Sequence, residues 1–557
     1  MIKNISIKQY RKLKNICLNF SPYINLISGG NGTCKTSLLH MIGNAFQRVT
    51  ASKAKLIDKR AINIIYGINA TVNPKIETLT KGDKKYNDPA IGQKGTLFTI
   101  TYLNDLQLGF RRHNSENNRY AVKPKYASGT NDKLPVLPVI YLGLTRLYPV
   151  GEFQKDDELY CIKHNLPVEY QEDIAKRYKD LTGIDISESH PQKMGDVKFR
   201  NDFSSSKPGV DSNTISAGEE NILILLTALC SLKYYYDSLG NTAEPVESLL
   251  IIDELDATLH PALQIRLLEL FREFSHKYKI QIIATTHSLS LLEYALRQED
   301  NVLYLCDDIT NISVMEEPDI FKIKMDLKTI ARKDLYADKK IPIFSEDEEA
   351  RDFLKIIFDY WEQQDLKFKY IRSNFYLSTA SLGCDVLRSI FGDKKLLSIM
   401  HSICILDGDQ SPCLGSNIIA LPGQDAPEKF IFEYIQKLFD NDDDFWRTEE
   451  VQYAGYTKKF YAEHLQKDYQ SLRESIEGLK ESDKPTKGVL RKGAKKLWRD
   501  NCNFIELAIK HWLNNPENQR AIRSFVKNLN ILFRKNALYH GINNREWEIT
   551  LRDGADV

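Results

Sequence analysis

Four groups of residues have types and spacings that could do chemistry. Gly29-Gly30-Asn31-Gly32-Thr33-Cys34-Lys35-Thr36-Ser37 is a glycine-rich stretch that closes on a cation and two hydroxyls. Asp253-Glu254 and, further on, His287 stand at the ends of apolar runs. In the second half of the chain Glu346 and Asp407-Gly408-Asp409 do the same. From Lys484 to Arg499 there are seven basic residues (484, 487, 491, 492, 495, 496 and 499), no acidic one, and Trp498.

The first group has the form of a phosphate-binding loop. An apolar strand (Ile24, Leu26, Ile27) runs into it, and an amphipathic helix beginning at Lys35-Thr36-Ser37 leaves it. Glycines at 29 and 32, with Asn31 between, let the backbone curl so that its N–H groups and the helix N-terminus surround a phosphate. Lys35 would reach the β- and γ-phosphates of a nucleotide, and Thr36 would supply a hydroxyl to Mg²⁺. Cys34 takes the place of the pattern's second glycine. Cysteine is small, and a helical φ would not demand glycine there, so phosphate binding is expected to survive.

Asp253, at the tip of Leu249–Ile252, can hold the water shell of that Mg²⁺, and Glu254 is placed to take a proton from an attacking water. His287 could hydrogen-bond the γ-phosphate. Ser216 and Gly218, in Ile215-Ser216-Ala217-Gly218-Glu219-Glu220, open an apolar helix whose N–H groups suit an anion. They are not needed by their own loop and would serve the nucleotide of a second copy, with Asp256 at the shared interface. Arg146, in Tyr141-Leu142-Gly143-Leu144-Thr145-Arg146-Leu147, is read equally as a phosphate contact or a structural salt bridge.

In this order the elements resemble an ABC-type ATPase head of the SMC/RecF kind, with signature motif, Walker B, D-loop and switch histidine. Ile7-Lys8-Gln9-Tyr10-Arg11-Lys12-Leu13 resembles that family's opening strand. The resemblance covers roughly residues 1–318 apart from an insertion at about 48–205. It implies ATP and Mg²⁺ as cofactors and self-association through the heads, as a dimer or dimer of dimers.

Glu346 follows the strand Ile341–Phe344, and Asp407 follows Ile403–Leu406. In a parallel sheet both carboxylates emerge at one edge. With Asp409 they would repel one another unless a cation joined them, and hard oxygen ligands suit Mg²⁺ or Mn²⁺. Such metals activate water in phosphodiester cleavage. This arrangement resembles a Toprim domain, and an ABC head followed by Toprim is similar to the OLD (overcoming lysogenization defect) nucleases. The resemblance implies a metal-dependent DNA endonuclease of phage defence, some members acting beside a retron reverse transcriptase and its RNA-linked DNA. Asp347 replaces the glycine that usually follows the first Glu, and the next acidic position falls on Ala350, beside Glu349. One metal or two is therefore left open.

The basic run can neutralise phosphates while Trp498 offers a stacking face. This makes Lys484, Lys487, Arg491, Lys492, Lys495, Lys496 and Arg499 candidate DNA contacts. Lys495 or Lys496 could also steady charge at a scissile phosphate, and Lys496 is the candidate carried forward.

These elements require an α/β chain: an ABC-type P-loop ATPase head over 1–318, a linker 319–340, a Toprim-like domain 341–430, and a helical, basic C-terminal region 431–557. Within the first part the pattern predicts a lysine-rich helix over Ser52–Arg60, a hairpin of Leu97–Tyr102 with Leu106–Arg111, and a polar loop from Asn114 to Lys133. A buried strand is expected over Val136–Leu147, helices and loops over 155–205, and a closing hairpin of Val302–Leu305 with Ile312–Met315. The net charge of +1 requires any basic surface to be local. Nine scattered cysteines without a C-x-x-C pair read as reduced thiols. With no signal-peptide pattern and no apolar run of bilayer length, a cytoplasmic protein is expected. Two rival classes remain: a DNA-tethering ATPase clamp with a degenerate second domain, and, disfavoured by that domain's carboxylates, a transporter subunit.

Overall fold

In the computed structural model, residues 1–50, 52, 56–74, 88–114, 120–126, 129, 132–153, 156–240, 244–441, 444–472 and 487–549 are described. The chain divides into two compact units, Met1–Thr329 and Ile330–Val557.

The first unit is built on one mixed sheet. Its strands are β1 (Ile2–Tyr10), β2 (Leu13–Asn19), β3 (Ile24–Gly29), β4 (Thr96–Tyr102), β5 (Gln107–Asn114), β6 (Tyr120–Lys125) and β7 (Val139–Leu142). After the separate strands β8 (Leu159–Cys161), β9 (Glu188–Met194) and β10 (Lys198–Ser204) come β11 (Ser248–Ile252), β12 (Ile280–Thr285), β13 (Asn301–Asp307) and β14 (Ile312–Val314). The spatial order is β6-β5-β4-β1-β2-β14-β13-β3-β12-β11-β7. The half from β13 to β7 is parallel, and the half from β6 to β2 is antiparallel.

The parallel half reads as unbroken apolar runs because both of its faces are covered. Leu250 and Ile252 pack into a core with the helices α2 (Arg60–Ile68), α3 (Val168–Thr182), α4 (Ala217–Asp237) and α5 (Pro261–Lys277). Their neighbours Leu249 and Ile251 face the opposite core with α1 (Lys35–Gly43) and the antiparallel strands. All strand tips of the parallel half therefore meet at one edge, which is where the chemistry collects.

Several expectations need correction. The helix after residue 50 is Arg60–Ile68, with Ala61, Ile62, Ile65 and Ile68 buried at helical spacing; of the expected Ser52–Arg60 helix, residues 53–55 lie outside the described residues. Within the expected polar loop, Tyr120–Lys125 pairs antiparallel with β5, a partner supplied only by tertiary structure. The expected strand 136–147 is short, ending at Leu142 and passing into a 3-10 turn, Leu144–Leu147. Residues 155–205 hold one long helix and a three-stranded antiparallel sheet, β10-β9-β8, where only helices and loops were expected. β4, β5 and β6 join the main sheet, so the stretch 48–205 is only in part an insertion. The unit also includes α6 (Leu289–Arg297) and α7 (Ile320–Lys328), the latter in the stretch expected to be linker.

The second unit has a four-stranded, wholly parallel sheet of β15 (Ile341–Ser345), β16 (Phe375–Ser381), β17 (Ile403–Leu406) and β18 (Ile418–Ala420), in the order β16-β15-β17-β18. Around it lie α8 (Arg332–Leu335), α9 (Glu348–Gln364), α10 (Leu366–Ile371), α11 (Cys384–Gly392), α12 (Lys394–Met400) and α13 (Pro427–Asp440). The remainder is helical as expected: α14 (Glu449–Tyr453), α15 (Lys458–Phe460), α16 (Lys487–Asp500), α17 (Cys502–Asn514) and α18 (Gln519–Asn536). No helix among the described residues is long and apolar enough to cross a membrane.

Candidate functional site

β3 delivers the loop 30–34 and α1 to a cavity of about 500 Å³. Its walls include Asn31, Gly32, Cys34, Lys35, Thr36, Ser37, Asp253, Glu254 and His287, so the sequence-predicted residues of one nucleotide site are brought together. Gly29 has φ 147°, and a Cβ there would lie 2.3 Å from the Leu305 carbonyl oxygen, so only glycine lets the loop leave β3 so close to β13. Cys34 departs from expectation: its φ is 65°, in the left-handed region and not helical. Glycine is the relaxed residue for that backbone, and cysteine carries the strain.

Lys35 Nζ donates to the Gly29 and Gly30 carbonyls, 2.9 Å each, and burial pushes its pKa down against the attraction of Asp253. Thr36 Oγ1 donates to Asp253 Oδ2 at 2.8 Å, which puts the two expected Mg²⁺ ligands on one another. Thr285 Oγ1, at the end of β12, donates to Asp253 Oδ1 at 2.7 Å and accepts from the Glu254 N–H at 2.7 Å. Glu254 itself sits at φ 49°, a strained backbone that aims the side chain from the strand end. Glu254 and His287 line the same cavity from neighbouring strand tips. Asp256 accepts from the His287 N–H at 3.1 Å, tying the loop after β11 to the one after β12.

Sequence reading missed Arg11, Lys12 and Asp88, which also line the cavity. Arg11 turns the β1–β2 hairpin at φ 54° and donates from Nη1 to Ser37 Oγ at 3.0 Å. The adjacent basic pair Arg11-Lys12 in a hairpin turn was the available signal. Lys35 is therefore not the sole cation of the site.

Ser216 and Gly218 lie outside that cavity's lining. Ser216 caps α4 reciprocally with Glu219, as the S-x-x-E spacing allows: the Glu219 N–H donates to Ser216 Oγ at 3.3 Å, and the Ser216 N–H to Glu219 Oε2 at 2.7 Å. A Cβ on Gly218 would stand 2.5 Å from the Thr258 carbonyl oxygen, so glycine permits α4 to pack on the loop after β11. Arg146 is not among the residues that line this cavity. It is buried, and its guanidinium is spent on backbone carbonyls and Asn221.

In the second unit Glu346 and Asp407 emerge side by side, from β15 and β17, at the carboxyl edge of the sheet. Both are buried, and the Asp407 N–H donates to Glu346 Oε1 at 3.1 Å. Gly408 is forced by a close approach, since its Cβ would lie 2.8 Å from the Asp425 carbonyl oxygen. Asp409 does not join the pair: it is exposed, and its carboxylate accepts from Gln410 Nε2 at 3.0 Å. Among the described residues no group of three or more His, Cys, Asp or Glu side chains is arranged to hold a metal ion. The expected convergence of three carboxylates is thus reduced to two.

The basic run also divides. Lys484 lies outside the described residues, and of Lys487 and Arg491 only the helical backbone is described. Lys492, Lys496 and Arg499 are exposed at i, i+4, i+7 and share one face. Lys495 points inward, paired with Asp347 and, at 3.0 Å, with Glu349 Oε2. Burial opposes the charge on Lys495, but Asp347 and then Glu349 outweigh it and raise its pKa. Of the two lysines that the sequence leaves open, Lys495 is the one beside the acidic start of α9, and Lys496 is exposed. Trp498 is 2% exposed and a core residue, which removes the expected stacking face.

The parallel sheet, the glycine-rich loop and the strand tips beside it have the organisation of a P-loop ATPase domain. Residues 104–293 match a family model described as "AAA domain, putative AbiEii toxin, Type IV TA system". The chain is 23% identical over 326 residues to the Septu protein PtuA of Bacillus thuringiensis, over 58% of this chain and 80% of that protein. Among solved structures it is similar to the SMC head domain from Thermotoga maritima (TM-score 0.29, 15% identity, 57% of this chain and 99% of that one). It is also similar to the recombination mediator protein RecF (TM-score 0.32, 11% identity, 57% and 98%). At these scores neither structural likeness bears on function.

Proposed function

We propose that the chain is an ATP-regulated, metal-dependent DNA endonuclease of the OLD type, acting in phage defence, with its ATPase heads paired. The observation that carries the nuclease reading is the buried pair Glu346–Asp407 on adjacent parallel strands. Two buried carboxylates suit Mg²⁺ or Mn²⁺, which take one or two protein oxygens and fill the remaining positions with water and phosphate oxygens. Bound there, the metal would supply an activated water and charge neutralisation. The exposed face of Lys492, Lys496 and Arg499 offers phosphate contacts. ATP would bind on Lys35, Thr36 and Asp253, with Glu254 as general base and His287 at the γ-phosphate, and Ser216 and Gly218 would complete the site of a second copy. A reverse transcriptase with its RNA-linked DNA is a proposed partner on the OLD resemblance alone.

A DNA tether with an inactive second domain is the second reading. It is favoured by the missing third carboxylate and by the ion pairs that occupy Asp347 and Glu349. Asp407→Ala decides between them. On supercoiled plasmid with Mg²⁺ or Mn²⁺, with and without ATP, it is expected to abolish cleavage and leave ATP turnover within about twofold of wild type. Wild-type protein that cuts no DNA, or an Asp407→Ala variant that cuts as well, gives the answer to the tether.

A further inference from the structure

Arg146 is 4% exposed and reaches in several directions. Nη1 donates to the carbonyls of Leu142 (3.2 Å), Gly143 (3.0 Å) and Asp253 (2.7 Å), and Nη2 to that of Glu254 (2.8 Å). Nε donates to Asn221 Oδ1 at 2.9 Å. Asn221 lies in the second turn of α4, and its Nδ2 donates onward to the Ala257 carbonyl at 3.2 Å. On the other side the Arg146 carbonyl accepts from Lys198 Nζ at 3.3 Å, and Lys198 pairs with Glu220 of α4 at 2.8 Å. Adjacent residues of the signature helix thus hold both ends of Arg146, and Arg146 holds the carbonyls of the two residues at the nucleotide's Mg²⁺ and water.

A planar guanidinium with several donors engaged is stiff, and most of its contacts are buried, so displacement of α4 is not absorbed locally. We propose that Arg146 is a positioning residue for ATP hydrolysis, transmitting the placement of the start of α4 to the backbone of Asp253 and Glu254. The inference rests on Glu254 being the general base. Its consequence is that α4, whose first turn would meet a second copy's nucleotide, sets the geometry of hydrolysis in its own subunit.

The test uses full-length Asn221→Ala, Arg146→Lys and, as reference, Glu254→Gln, each with Lys35 intact. ATP affinity is measured by titration calorimetry, turnover by phosphate release, and amide hydrogen exchange over residues 253–258 by mass spectrometry. Misplacement of a reacting group by about 1 Å costs about 100-fold in rate. Arg146→Lys is expected to lose about 100-fold in kcat and Asn221→Ala about 10-fold, both with ATP affinity within about twofold of wild type and with faster exchange at 253–258. A folded Asn221→Ala with wild-type exchange and wild-type kcat overturns the proposal, even if Arg146→Lys fails to fold. A loss of affinity in step with the loss of rate overturns it too. Wild-type turnover by Glu254→Gln would instead remove the general base, a separate failure that the exchange measurement does not share.

A different observation carries a second inference. α18 bears five basic residues, at 520, 523, 527, 534 and 535, and no acidic one. Arg520, Arg523 and Lys527 are exposed at i, i+3, i+7 and form no ion pair among the described residues, whereas Arg534 lies 3.7 Å from Glu548. Three uncompensated cations along about 10 Å of helix match the charge and spacing of a nucleic-acid backbone. We further propose that this face binds the phosphates of the DNA substrate, which rests on the nuclease reading. Binding of a labelled 30-base-pair duplex to R520Q/R523Q/K527Q across a salt series is the test. About 0.9 is lost from the slope of log affinity against log salt per phosphate contact removed, so a fall of two to three is expected. An unchanged slope with tight wild-type binding overturns this surface alone. Absence of wild-type binding at low salt overturns the DNA reading with it.

Discussion

Cys34 carries a backbone that glycine would adopt without cost. A non-glycine residue in the left-handed region costs about 1–2 kcal/mol, and glycine gives back part of that as chain entropy. Cys34→Gly is therefore expected to stabilise the ATPase unit by about 1 kcal/mol and to keep ATP binding, measured by denaturant unfolding and ATP titration. A destabilised Cys34→Gly would mean that the thiol contributes a contact worth more than the strain. Lys35→Ala should weaken ATP affinity by about 100-fold, the scale of a charge-assisted hydrogen bond of 1.5–3 kcal/mol. Arg11 and Lys12 keep the loss from being absolute, so Arg11→Ala is expected to show a smaller loss of about 10-fold in the same titration. Glu254→Gln should retain binding and lose at least about 100-fold in turnover, the usual share of a general base.

At the scale of elements, α4 does two things with its first turn. It packs on the loop after β11 through Gly218, and Ser216 at its start lies outside the lining of the cavity around Lys35. Ser216→Arg is expected to stop hydrolysis while ATP still binds through Lys35. Mixing it with Lys35→Ala protein should restore part of the turnover, because one composite site can then form. Failure of every mixture under conditions that exchange subunits would show that each site works alone. α16 separates its cations by direction: Lys495 turns in to the start of α9, and Lys492, Lys496 and Arg499 turn out. Lys495→Ala removes a cation that pairs with both Asp347 and the buried Glu349. It should lower the stability of the second unit by about 1–3 kcal/mol, and thermal unfolding of this variant beside Lys496→Ala, expected to be neutral, reads the difference.

At the scale of the molecule, the parallel half of one sheet and the wholly parallel sheet of the other unit each collect carboxylates at a carboxyl edge. Asp253 belongs to one and Asp407 to the other, which is why the Asp407→Ala variant is expected to separate cleavage from ATP turnover. The strand tips were legible in the sequence for a plain reason. Strands such as Leu249–Ile252 and Ile403–Leu406 are buried on both faces, so they are wholly apolar, and the first acid after each marks the edge. By the same logic order and spacing could anticipate that the glycine-rich loop, Asp253, Glu254 and His287 meet at one cavity, because each follows a buried strand of the same parallel half. Pairing between distant strands has no such local mark, so β6 and the β8–β10 sheet were read as loops and helices. Nor does periodicity say which of two consecutive helix residues turns inward. They differ by about 100° around the axis, and packing alone chose Lys495 over Lys496 and buried Trp498. Tertiary structure likewise put Arg146 against the backbone of Asp253 and Glu254, because a side chain's surroundings are made by segments a hundred residues away.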